Sequence, residues 1–115
     1  MAFNLMTMTT KGEAGVIAEL RSYTVAPGRA DALMAQFQDV SLGLFDRHGI
    51  RSYGPWFREL RTGRQLVYVL EFDDEQDRAT RWSAFREDPD WQAAQRAGEA
   101  DGPLIAGSEI VELTR

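Results

Sequence analysis

The chain has 115 residues, enough for one domain with a single hydrophobic core, and its 43% apolar and 27% charged residues are an ordinary globular mixture. Eighteen acids against thirteen bases give a net charge of -5 with no basic block, which excludes the clustered Lys and Arg that nucleic-acid binding requires. The absence of cysteine excludes disulfides, thiolate nucleophiles and Cys-ligated zinc, and it fits a protein of the reducing cytoplasm.

Residues 1–15, "MAFNLMTMTTKGEAG", read as a tail or an extra edge strand. They lack the basic start and long apolar run of a signal peptide, and no stretch of the chain approaches membrane-spanning length, so no membrane partner is expected. A single domain is expected over 16–115. "VIAELRSYTV" predicts the first strand, with Ile17, Glu19, Arg21, Tyr23 and Val25 on one face, and "APG" at Ala26 to Gly28 turns the chain. A helix follows from about Arg29 to Arg47 on a stripe of Leu33, Phe37, Val40 and Leu44 that Met34 and Phe45 widen. Gly49 is its expected stop.

"IRSYGPWFREL", Ile50 to Leu60, predicts a second strand in which Pro55 marks an edge or a bulge, because proline cannot donate to a ladder. Without a bulge, Ser52, Gly54, Trp56 and Arg58 share one face and Tyr53, Pro55, Phe57 and Glu59 the other; a bulge at Pro55 scrambles that phase. "RTGR" turns into "QLVYVLEF", Gln65 to Phe72, whose nearly continuous apolar run suits a strand covered on both faces. The acidic start of "DDEQDRATRWSAFRED" suits a helix N-terminus, Pro89 breaks that helix beside an Asp88 or Asp90 cap, and a short helix carries Trp91. A loop at Gly98 to Pro103 leads to a last strand, Ser108 to Arg115.

Strand, helix, strand, strand, helix, strand is the α+β, ferredoxin-like βαββαβ pattern with an antiparallel sheet. Its helices cover one sheet face, so Val67, Val69 or their neighbours lie on an uncovered one, and a symmetric homodimer that pairs sheet against sheet is the expected remedy.

Four motifs carry a family resemblance. "ELRSYTVAPGR" resembles the opening strand and turn of NIPSNAP domains; "RHGI" at Arg47 to Ile50, "GPWFRE" at Gly54 to Glu59 and "EDPDWQAA" at Glu87 to Ala94 resemble later motifs in the same order. The resemblance spans roughly residues 16–114 and implies a ferredoxin-like fold that pairs into a dimeric α+β barrel. It also implies kinship with cofactor-independent monooxygenases, muconolactone-type isomerases and haem-binding enzymes. Where the family often carries His and Trp in its third strand, this chain has Tyr68 and Leu70.

Several residues are candidates for chemistry. His48, the only histidine, suits a general base or a haem ligand, and equally a helix-end cap. Glu19 and Arg21 must pair if their face is buried. They then serve either as a structural ion pair across a dimer seam or as a pocket floor, with Arg21 anchoring an anion and Tyr23 donating a proton. Tyr53 and Trp56 with Tyr68 and Phe72 are expected to wall an apolar pocket, or else to be core, and Tyr68 and Arg58 offer a second acid and a second anion anchor. Trp82, Phe85 and Trp91 read as helix packing. One histidine with scattered acids makes no metal site, and no glycine-rich phosphate loop, dinucleotide fingerprint or nucleophile elbow calls for a dissociable cofactor.

The expected function is therefore a homodimer with a pocket for a small organic molecule, which it either binds or acts on as an oxygenase- or isomerase-type enzyme without a dissociable cofactor. The alternatives are a non-catalytic accessory module and a haem-binding barrel.

Overall fold

Period-two alternation sets the first strand: in β1 (Ile17–Val25) Ile17, Glu19 and Arg21 are buried on one face, while Ala18 and Leu20 between them are half-buried on the other. The computed structural model describes residues 15–115; the segment 1–14, for which a tail or edge strand is expected, lies outside them. β2 (Arg51–Leu60) and β3 (Gly63–Phe72) form a hairpin, and β4 (Ile105–Thr114) closes the sheet in the order β2-β3-β1-β4, antiparallel throughout. This is the expected ferredoxin-like α+β sheet. β4 starts at Ile105, ahead of the expected Ser108. The Gly107 backbone continues the ladder opposite Thr24.

Among the described residues, three helices cover one face. α1 runs through Ala30–Gln36, Phe37–Ser41 and Leu42–Arg47, with its middle segment in π geometry. Gly49 stops it with a φ of 71°, and the Arg81 guanidinium lies where a Cβ at Gly49 would sit. α2 (Glu75–Glu87) is capped by Asp74, whose side chain accepts from the Asp77 amide at 2.8 Å. Asp88 ends α2 and caps α3 (Pro89–Gly98), accepting from the Asp90 amide at 2.8 Å. The core lies between the helices and the sheet, where Leu66, Leu70 and Phe72 of β3 meet Phe45 of α1 and Phe85 of α2. Full burial of such side chains contributes roughly 1.5–3 kcal/mol each.

The register of β2 corrects the unbulged phase. Pairing slips between Tyr53 and Trp56, so Tyr53 stands opposite Val69, Trp56 opposite Val67 and Arg58 opposite Gln65, all on the face away from the helices. The slip occurs at Gly54 and Pro55. Gly54 has a φ of 105°, and the Trp56 ring lies 3.0 Å from where a Cβ at Gly54 would project. The face that none of the described helices covers is apolar: Leu20, Val67 and Val69 are half-buried, and Tyr53, Trp56, Val111 and Leu113 are exposed. Among the described residues, no helix is long and apolar enough to cross a membrane.

Candidate functional site

A cavity of about 460 Å³ lies on the helix side of the sheet, within the size range of small-molecule sites. Its floor is a tyrosine pair. Tyr68 stands opposite Arg21 in the β1–β3 ladder and Tyr23 opposite Leu66, so the two tyrosines are diagonal neighbours on one face, and their hydroxyls meet at 2.7 Å. Burial pushes the Tyr68 phenol well above the usual tyrosine range, Tyr23 adds to the shift, and the positive charge of Arg21 only partly opposes it. Tyr68 therefore stays protonated across the neutral range and the pair always holds a proton to donate.

The walls are aromatic. Phe37 and Phe45 come from α1, Trp82 and Phe85 from α2, and Trp91 from α3. Phe85 stands at the centre, with Phe45, Trp82 and Trp91 each at a centroid distance of 4.9 Å. Four lining residues of α1, Leu33, Phe37, Ser41 and Phe45, recur at a spacing of four, so one helix edge faces the cavity. The π segment spans the middle of that edge, and such segments are frequent at functional sites. The rim is polar: Gln36 of α1, Arg86 of α2, and Gln92 and Gln95 of α3.

The structure brings some of the sequence candidates together and separates others. Tyr23 and Tyr68 meet at the cavity floor. Glu19 and Arg21 are buried beside them and paired, as burial requires, with Arg21 Nε donating to Glu19 Oε1 at 2.9 Å. Trp82 covers the Arg21 guanidinium at 4.2 Å, so Arg21 supports the wall and does not line the cavity. Burial opposes the charge of Arg21, but the paired Glu19 carboxylate helps to hold the group protonated. Arg78 joins the pair at 3.3 Å from Glu19 and reaches on to Glu112 at 2.6 Å. This network lies on the helix side within one chain, which excludes Glu19 and Arg21 from a seam between uncovered sheet faces. Phe72 is core and does not line the cavity.

The remaining candidates lie elsewhere. Tyr53, Trp56 and Arg58 stand on the opposite sheet face from Tyr68 and Phe72, because the bulge turns them outward, so these aromatics do not wall one pocket. Tyr53 Oη donates to Glu71 at 3.0 Å. His48 ends α1, outside the cavity lining, and its Nε2–H donates to Asp88 Oδ2 at 2.7 Å. That bond, then the Asp90 amide, holds the Asp88 carboxyl down at about 2.

Residue-by-residue reading missed Ser41, Arg86 and the rim glutamines, and saw only packing in Trp82 and Trp91. One signal was present in sequence. Ser41 is a polar residue inside the apolar i, i+4 stripe of α1, and it is 3% exposed. Among the described residues, no group of three or more His, Cys, Asp or Glu side chains is placed to hold a metal ion.

Similar proteins place this geometry in context. An uncharacterised NIPSNAP domain protein from Burkholderia xenovorans is 26% identical, with a TM-score of 0.74 over 86% of this chain and 93% of that one. A NIPSNAP family protein of unknown function from Agrobacterium tumefaciens is 22% identical, with a TM-score of 0.75 over 89% of each chain. A cofactor-independent oxygenase from Streptomyces nogalater shares the fold at 17% identity, with a TM-score of 0.57 over 89% of this chain and 94% of that one. Comparison with curated proteins finds no match. The NIPSNAP family model matches residues 18–109, four-fifths of the chain, and the chain belongs to the NIPSNAP family.

Proposed function

We propose that this domain binds a small aromatic molecule in the helix-side cavity and works as a homodimer joined through its uncovered sheet faces. The observation that carries the reading is the cavity itself: aromatic walls around a tyrosine pair that holds a donatable proton. A flat ring stacks on such walls, and its carbonyl, enol or phenol oxygen accepts from the pair. The exposed Trp56, Val111 and Leu113 beside Val67 and Val69 support the dimer, since an apolar face of this kind is normally covered.

The likeness to a cofactor-independent oxygenase supports turnover as an extension of binding, by analogy of fold. The cavity lining offers hydroxyls, amides and a guanidinium, but no imidazole or carboxylate. That favours binding, or a reaction in which the tyrosine pair acts as acid, over an isomerisation that needs a protein base. Nor does the lining favour haem, since His48 lies outside it.

Native mass spectrometry of freshly purified protein, followed by titration with small aromatic compounds under tryptophan fluorescence, tests both parts. A dimer, and quenching of Trp82 and Trp91 by aromatic compounds, is expected. A monomer would refute the sheet pairing, and a protein that no aromatic compound quenches would refute the cavity reading.

A further inference from the structure

The cavity is free of negative charge in a chain rich in it. The protein carries eighteen acidic residues, yet none lines this site. The one charged group in the lining is Arg86, an exposed arginine at the rim. Six other arginines, among them Arg21, Arg47 and Arg78, hold carboxylates within ion-pair distance. Arg86 forms no such pair among the described residues, and its neighbour Glu87 accepts instead from Ser83. Its place at the rim is fixed from behind, because Gln92 of α3 donates to the Arg86 carbonyl at 3.3 Å and ties the end of α2 to the wall that carries Trp91.

The cavity floor also donates. Each tyrosine has one O–H; one is spent inside the pair and the other is left for a ligand, and the covered phenol of Tyr68 keeps its proton. A molecule that fills the site therefore meets a donor at the floor, aromatic faces along its length, and an unpaired guanidinium at the mouth. We propose, on the footing of the binding reading above, that the cavity selects a planar aromatic carboxylate with a second oxygen on the ring, seated with that oxygen at Tyr23 and Tyr68 and its carboxylate at Arg86. A guanidinium recognises a carboxylate through paired N–H donors, which a neutral amide cannot match.

The test compares a hydroxynaphthoate with the corresponding hydroxynaphthamide, which keeps the ring and the hydroxyl and removes the charge. Tryptophan fluorescence at low ionic strength reads binding by the wild type and by Arg86→Gln. The wild type should bind the carboxylate about tenfold more tightly than the amide, with the gap narrowing as salt screens the exposed guanidinium. Arg86→Gln should bring the carboxylate down to the amide's affinity; because Arg86 is exposed, amide binding doubles as evidence that the variant is folded. Equal binding of both compounds by the wild type, or a preference that survives in Arg86→Gln, overturns the carboxylate assignment while leaving the cavity reading standing. Failure of both compounds to bind the wild type overturns the cavity reading and the assignment with it.

Discussion

Replacing Tyr68 by Phe removes one hydroxyl from the cavity floor and leaves the ring, which is 1% exposed and packed at 4.6 Å from Phe37, in place. At neutral pH the variant loses the 2.7 Å bond to Tyr23. A neutral hydrogen bond of this kind is worth about 1 kcal/mol net, and half-buried Tyr23 can turn its freed hydroxyl to cavity water, so Tyr68→Phe should be destabilised by ~1 kcal/mol at pH 7. The alkaline range is more discriminating. Burial raises the Tyr68 phenol well above its ordinary value of 10.0, so above that pH the unfolded chain releases a proton that the folded chain keeps. The sign follows: the contribution is fully present below about pH 10 and is lost as pH rises, by up to ~1.4 kcal/mol per pH unit, until the folded phenol itself titrates. Tyr68→Phe has no such loss, so the two stability curves should converge as the pH rises above 10. Tyr53, whose phenol is raised by its bond to Glu71, is present in both proteins and cancels in the difference. Urea unfolding followed by tryptophan fluorescence from pH 7 to 11 measures both quantities. Curves that stay parallel throughout would show that Tyr68 titrates as an exposed phenol, and would refute the buried tyrosine pair on which the candidate site rests.

Other perturbations address the wall, the helix junction and the uncovered face. Phe85 is 2% exposed at the centre of the aromatic cluster, so Phe85→Ala should cost roughly 3–5 kcal/mol in urea unfolding, and a loss below about 1 kcal/mol would mean that the cluster is not packed as described. Asp88 is held at about 2 by His48 and the Asp90 amide, so its contribution is present above the unfolded carboxyl range near pH 4 and is lost as pH falls through about 2. Asp88→Asn keeps a capping side chain but not the charge, and it should flatten the acid limb of a circular-dichroism titration; an unchanged limb would count against the junction. If the proposed homodimer forms through the uncovered face, Leu113→Lys should leave a monomer in native mass spectrometry, and a dimer that survives would place its seat elsewhere.

The fold was legible because its signals are periodic. The alternation of β1, the stripe of α1, the stop at Gly49 and the Asp88-Pro89 break each report a local rule that tertiary structure obeys. The site was half legible. Tyr23 shows its face through simple alternation from the buried Ile17, and Tyr68 through the Leu66, Leu70 and Phe72 series, so the pair at the floor follows once the two strands are neighbours. Tyr53 and Trp56 resist the same reading, because one inserted backbone position flips every later side chain to the other face, and the spacing alone does not say where the extra residue sits. Arg86 and the glutamines give no periodic signal at all. They become a rim only when α2 and α3 fold back over α1, and polar residues on exposed helix turns look alike in sequence whichever way they face.

That division of one sheet into two unlike faces has a mechanical consequence. The tyrosine pair, the Glu19–Arg21 network and the aromatic wall occupy the helix side, while Trp56, Val67 and Val111 occupy the other, so the proposed ligand and the proposed partner copy would meet opposite sides of the same strands. Leu20 of β1 lies between buried Glu19 and Arg21 and opposite Val69, so the backbone that positions the cavity floor is also the backbone a partner would cover. If the floor is rigid on its own, Leu113→Lys leaves the affinity for an aromatic ligand unchanged in the resulting monomer. If the partner's cover holds the strands in place, affinity falls with dimer dissociation, and the protein concentration at which ligand binding weakens tracks the one at which the dimer separates. Titrating ligand into the wild type across that concentration range decides between the two.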